Sequence, residues 1–166
     1  KVNMSDNQNN DQLVKDLLKR VEALENAAPK DQLTLGVMSG DLEHTMGAFM
    51  IALGATTFDT EVDMFFMLRA TAALVDPSKA KQDMPDAARA LQPSEIKFDL
   101  KKHNAMPLEE LIRNAGELGV RITVCNLSLD LMGIKREDLI DYPNLKFAGV
   151  ATLIDMCSHS KQCWFM

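Results

Sequence analysis

After Asp11, apolar residues recur every three or four positions, at Val14, Leu17, Val21, Leu24 and Ala28, among Lys, Glu and Arg until Pro29. The spacing predicts a helix over 11–29 with one apolar stripe, which must pack on its own domain or on the same helix of another subunit. The period then changes. Leu33 to Met38 is a largely apolar run of the kind a central parallel strand needs, and Ser39-Gly40-Asp41 turns into a helix carrying Met46, Phe49, Met50 and Leu53 on one face. Val62 to Met67 reads as a second strand. Strand, helix and strand in so short a length make a βαβ unit, hence a parallel sheet with a right-handed crossover.

Thr71 to Val75 can form a short helix before Asp76-Pro77-Ser78 breaks it. From Lys79 to Asn104 the pattern fails: the stretch is charged, holds Pro85 and Pro93, and fits a short third strand, a lid or an oligomer contact equally. Pro107 opens another helix with Leu108, Leu111, Ile112, Ala115 and Leu118 on one face, and Gly119 closes it. The β-branched run Ile122-Thr123-Val124 follows as a short buried strand ending in Cys125. Asn126 and Ser128 are good N-cap residues, so a helix starts just after the thiol and runs until Gly133. Lys135 to Ile140 predicts a short helix, Leu145 to Ala148 an edge strand, and Val150 to Met156 the last helix. The expected fold is therefore α/β, a three-layer αβα arrangement with a mainly parallel sheet of about five strands and an extra N-terminal amphipathic helix. Its divisions are a disordered, Asn-rich tail at 1–10, the helix at 11–29, the α/β domain at 32–156 and a Cys-containing tail at 157–166. Lys1-Val2-Asn3 read as an extraneous leader ahead of Met4, the expected start.

Charge narrows the partners. Eighteen basic against twenty-four acidic residues leave a net charge of −6, which argues against nucleic acid or an anionic membrane and fits a protein partner better. No apolar run approaches the length of a spanning helix, so a cytoplasmic location is expected. Three cysteines cannot all pair within one chain, and reduced thiols are the simplest reading for that compartment. The methionines fall mostly at core positions and read as packing.

Cys125 carries the most chemistry. In open parallel sheets ligands bind in the crevice beyond the carboxyl ends of the strands, where amides of the next helix face outward and can stabilise a thiolate or persulfide. The alternative is a buried structural cysteine, a common fate of free thiols. Asn126 and Ser128 can hydrogen-bond a persulfide or simply cap the helix, while Asp130, in the first turn, opposes a nearby thiolate. Lys135, Arg136 and Arg121 are candidate counter-charges. Ser39, Gly40 and Asp41 share the rim and can shape an acceptor pocket, with Glu43 and His44 as proton-transfer candidates. Gly36-x-x-x-Gly40 lacks the spacing of a dinucleotide fingerprint.

The run Cys125-Asn126-Leu127-Ser128-Leu129-Asp130-Leu131-Met132-Gly133-Ile134, with Leu108-Glu109-Glu110-Leu111-Ile112 before it and Gly149-Val150-Ala151-Thr152 after it, resembles the DsrE/DsrF-like sulfur-relay family, closest to its soluble DsrE-like branch. Leu33 to Glu43 adds to the likeness, which covers about Gln32 to Met156 with a weakly matching middle. The resemblance implies a sulfur carrier or sulfurtransferase with Cys125 as the persulfide residue. It implies no cofactor and no metal, assembly into homo-oligomers, and TusA-like or rhodanese-like protein partners.

The end of the chain, Cys157-Ser158-His159-Ser160-Lys161-Gln162-Cys163-Trp164-Phe165-Met166, supports three readings. It can dock as an apolar tail through Trp164 and Phe165, it can present Cys163 or Cys157 as a second relay thiol, or Cys157, His159 and Cys163 can hold a soft metal, although a fourth ligand is missing.

Overall fold

In the computed structural model, which describes residues 4–80, 85–93 and 99–166, the chain forms two units, Lys1–Lys30 and Asp31–Met166. The first is the helix α1 (Met4–Ala27). It takes in Ser5–Asn10, read above as disordered; each residue added to a formed helix gains one hydrogen bond and pays no new nucleation cost.

After α1 the chain runs β1 (Lys30–Val37), whose first residue closes the first unit, then α2 (Leu42–Thr56), β2 (Glu61–Phe66), a 3₁₀ segment (Leu68–Leu74), α3 (Asp86–Arg89), α4 (Leu108–Glu117), β3 (Arg121–Cys125), α5 (Asn126–Met132), a 3₁₀ turn (Arg136–Asp138), β4 (Lys146–Ala148), α6 (Val150–His159) and β5 (Ser160–Phe165). The five strands form one sheet in the order β4-β3-β2-β1-β5. Pairing is parallel, with Leu35 opposite Met64, Met64 opposite Ile122 and Cys125 opposite Ala148. On the far side of β1, Met166 N–H donates to the Gly36 carbonyl and Met38 N–H to the Met166 carbonyl, the bonding pattern of a parallel pair. The α/β class and the parallel sheet of five strands are as expected.

The two faces of the sheet differ in chemistry. Leu33, Leu35 and Val37, then Val62, Met64 and Phe66, then Ile122 and Val124 all turn to one side, where Ala48, Phe49 and Ala52 of α2 and Leu111, Ile112 and Ala115 of α4 complete the main core. Positions one residue out of phase face the other way and are largely polar: Gln32, Thr34, Asp63 and Thr123 are all buried. They are paired. Gln32 Nε2 donates to Asp63 Oδ2, Arg121 grips the same carboxylate through Nε and Nη2 at 2.7 and 2.8 Å, and the Thr34 and Ser160 hydroxyls lie 2.7 Å apart. Burying such groups costs little only while each partner stays.

Two expectations change. Residues 160–165 form an edge strand, β5, where a docked tail was expected. Gly36 makes room for it, because a Cβ there would strike the Phe165 ring. Cys157, on the last turns of α6, and Cys163, on β5, are joined in a disulfide with Cα atoms 5.2 Å apart, which leaves Cys125 as the free thiol. The helix-to-strand turn brings the two residues within bonding reach, a juxtaposition that reading them as free tail thiols does not anticipate. Within 79–104, the described residues hold the short α3 and a single bridge from Gln92 to Asp41; 81–84 and 94–98 lie outside the described residues, so the third-strand, lid and oligomer readings fall partly on them.

Alkylation in denaturant should label one thiol per chain without reductant and three with it, read by intact mass. Three labels without reductant would show the Cys157–Cys163 bond absent.

Candidate functional site

Cys125 is the last residue of β3 and the N-cap residue of α5, at φ −70° and ψ 118°. Alternation along the strand sends Val124 into the main core and Cys125 to the opposite face, where it clusters with Phe65 of β2 and Leu153 of α6. Met67, Ala148, Met156 and Cys157 pack against that cluster. The thiol thus stands at a helix start, as the sequence suggested, but it is 3% exposed under an apolar cover. A cavity of about 700 Å³, lined by Met46, Ala73, Leu91, Leu108, Ile112 and Tyr142 among others, belongs to the α2 and α4 side, and Cys125 is not among its lining residues.

Ser128 is buried and its hydroxyl accepts a hydrogen bond from Leu68 N–H at 2.7 Å, which ties α5 to the segment leaving β2. Leu68 has φ +51°, a left-handed conformation that a branched side chain adopts at a cost, so this bond holds a strained link at the strand end. Asn126 is engaged elsewhere: its Oδ1 accepts from Arg136 Nη2 at 3.0 Å, and the Arg136 guanidinium lies 4.3 Å from the Phe147 ring centre. Arg136 is therefore next to the residue that follows the thiol. Arg121 is not at this rim. It pairs with Asp63 and Glu61 at the opposite end of β3, roughly 13 Å along the strand from Cys125 at about 3.3 Å per residue. Lys135 N–H is capped by Asp138, and Asp130 is exposed.

Ser39 and Gly40 lie beyond the carboxyl end of β1, on the same rim as Cys125 because β1, β2 and β3 are parallel. Ser39 donates to the Asp41 carboxylate, and Asp41 caps α2 by accepting from His44 N–H at 2.9 Å. Partial burial pushes the Asp41 carboxyl up, but the hydrogen bonds from His44 N–H, the Ser39 hydroxyl and the His44 ring outweigh it and hold the group at about 2. Gln92 runs beside this turn, donating to the Gly40 carbonyl at 2.7 Å and accepting from Leu42 N–H at 3.0 Å.

Sequence reasoning missed Arg69. It follows Leu68 past the end of β2, so it sits on the same rim, and it packs so closely on Gly40 that a Cβ there would clash with its side chain. Its Nε is buried without a hydrogen-bond partner among the described residues. The signal was present: Leu68 and Arg69 follow the predicted strand ending at Met67 by one and two residues, just as Ser39 and Gly40 follow the one ending at Met38. The soft-metal reading of the tail meets a simple obstacle, since both sulfurs are taken up in the disulfide, and no cluster of three candidate ligands occurs among the described residues.

Fold and site together define a parallel three-layer α/β domain whose free cysteine closes a central strand. A family model described as DsrE/DsrF/DrsH-like matches residues 78–165. The uncharacterized protein YrkE of Bacillus subtilis (strain 168) is 31% identical over 142 residues, covering 73% of this chain and 88% of YrkE. The chain belongs to the DsrE/DsrF/DrsH-like family. The match takes in the charged middle and β5, both outside the residues that carried the resemblance. Among solved structures, the ychN protein from E. coli is similar at 14% identity and a TM-score of 0.49, over 81% of this chain and 99% of that one.

Two outcomes follow. Because the folded-state value of Asp41 is lowered from 3.8 to about 2, its carboxylate adds stability that is complete above about pH 4 and is lost as pH falls toward 2. Denaturant midpoints should therefore show Asp41→Ala less stable than wild type by roughly 1 kcal/mol near neutral pH, with the gap closing between about pH 4 and 2. Leu153→Ala should uncover the thiol, and native-state alkylation of Cys125 should run at least several-fold faster than in wild type. An unchanged rate would mean that Leu153 is not the cover.

Proposed function

We propose that the protein is a sulfur carrier or sulfurtransferase working in a cytoplasmic sulfur relay, with Cys125 as the residue that holds the sulfur. The Cys125 thiolate attacks the outer sulfur of a donor persulfide, R–S–SH; the new Cys125 S–S bond forms as the donor S–S bond breaks, and the donor leaves as a thiolate. An acceptor thiolate then attacks the outer sulfur of Cys125–S–SH and returns Cys125 as a thiolate. Each step exchanges one S–S bond for another, so no external oxidant, reductant or cofactor enters.

The observation that carries this reading is the position of Cys125, the free thiol, at the junction of β3 and α5 in a chain of the DsrE/DsrF/DrsH-like family. Its surroundings suit a protein donor or acceptor. Leu127 and Leu131 on α5 and Val150 and Ile154 on α6 are large apolar side chains left exposed on the two helices that flank the thiol. Single exposed apolar residues are ordinary, but four on these helices offer a docking surface for proteins of the TusA-like or rhodanese-like kind. With Leu153 and Met156 covering the sulfur, docking must shift α6 side chains before the sulfur atoms meet. Ser128 positions the site by holding Leu68, and Ser39 and Gly40 form the neighbouring part of the rim.

One observation favours a second reading: at 3% exposure, Cys125 can be a packing residue of a binding or scaffold subunit with no sulfur chemistry.

Incubation of the full chain with a persulfide donor, followed by intact-mass spectrometry, should add one sulfur atom to wild type and none to Cys125→Ser. Failure of wild type to load, or equal loading of Cys125→Ser, would remove the carrier reading.

A further inference from the structure

Helix α1 presents an apolar stripe with a specific geometry. Val14 (53% exposed), Leu17 (47%), Val21 (49%) and Leu24 (71%) follow one another in the three-four alternation of a heptad, with the valines at one core position, a, and the leucines at the other, d. Exposed stripes of this spacing, on a helix that forms a unit of its own, are stabilised by burial against another helix, since most helical stability in proteins comes from packing an apolar face rather than from propensity. β-branched residues at a with leucine at d favour two parallel strands over higher assemblies.

The flanking residues choose the partner and its direction. Leu13 and Arg20 occupy g, and Leu18 and Glu25 occupy e. In a parallel, in-register pair each g residue faces the e residue of the next heptad on the other helix, so Leu13 meets Leu18 and Arg20 meets Glu25. Both contacts occur twice by symmetry, and both are favourable: the first widens the apolar seam, the second pairs opposite charges. An antiparallel pair sets e against e and g against g, so it never brings Arg20 to Glu25. The outward positions carry Lys15, Asp16, Lys19, Glu22, Ala23 and Asn26, all but the small Ala23 polar, as a solvent face requires.

From this complementarity we infer that α1 pairs with α1 of a second copy of the chain as a parallel two-stranded coiled coil. The pairing is independent of the sulfur chemistry at Cys125.

The test uses the full chain. Leu24→Cys places a thiol at a d position, which in a parallel pair faces the same position of the other copy. Mild oxidation and peptide mapping should recover a 24-to-24 link in most of the protein, whereas Glu22→Cys, on the outward face, should give little. In the Leu24→Cys background, Arg20→Glu alone or Glu25→Arg alone should raise the protein concentration needed for half-maximal linking about tenfold, and the two together should restore it. No 24-to-24 link, equal linking at 22, or no rescue by the double exchange would each overturn the pairing. Thermal melting of every variant checks that the α/β unit is unaffected, so a lost link reports on α1 alone.

Discussion

Register on β3 decides which side of the sheet the free thiol occupies. Side chains alternate along a strand, so a slip of one residue would bury Cys125 between α2 and α4 and send Val124 to the polar face. Three contacts forbid it. Ile122 and Val124 are fully buried beside Met64 and Phe66 of β2, β4 pairs Cys125 with Ala148, and at the other end Arg121 is held by Asp63 and Glu61. Arg121, first read as a counter-charge to the thiol, thus acts at a distance: it fixes the register that places the thiol. Its guanidinium is held firmly protonated by the hydrogen bonds it donates to the Asp63 carboxylate, against the opposing effect of burial.

The same alternation explains what could be read from the sequence and what could not. Apolar periodicity is local, and it located β1, α2, β2, α4, β3 and the start of α5 to within a few residues, with Gly119 and Gly133 marking helix ends at φ +80° and +65°. The edge strand β4 was legible too. What failed depended on partners far along the chain. Ser160-Lys161-Gln162-Cys163-Trp164-Phe165 has no strand-like alternation of its own; it becomes β5 because β1 offers an open edge, Thr34 meets Ser160 and Gly36 leaves space for Phe165. For the site, the sequence placed Cys125, Ser39 and Gly40 on one rim but could not show that Asn126 is occupied by Arg136, that Ser128 bonds Leu68, or that Arg69 is packed on Gly40.

The middle of the chain gains a role from the same contacts. Its Pro85 approaches the end of α5 at Gly133, and its Gln92 is hydrogen-bonded on both sides of the turn after β1. A stretch without periodicity is thus held at two points, the turn after β1 and the far end of α5. Neither contact leaves a hydrophobic trace in the sequence, which is why this stretch resisted reading.

Burial of Cys125 then bears directly on how a carrier of this architecture would work. A thiol at the end of a central strand has no side chain of its own strand beyond it, so its cover comes from α6, through Leu153, and from the residues packed around that cluster. The sheet positions the sulfur, while Leu153, Met156 and Cys157 of its cover belong to α6, which is joined near its far end to β5 by the Cys157–Cys163 bond. Access and position are therefore set by different elements. A partner able to displace side chains on α6 can reach the thiol without disturbing the register of β3, whereas free small thiols, which bring no such contacts, meet a closed apolar surface. In the carrier proposed above, such separation would protect a persulfide on Cys125 from adventitious discharge, and the exposed leucines of α5 and the apolar residues of α6 would decide which protein gains access.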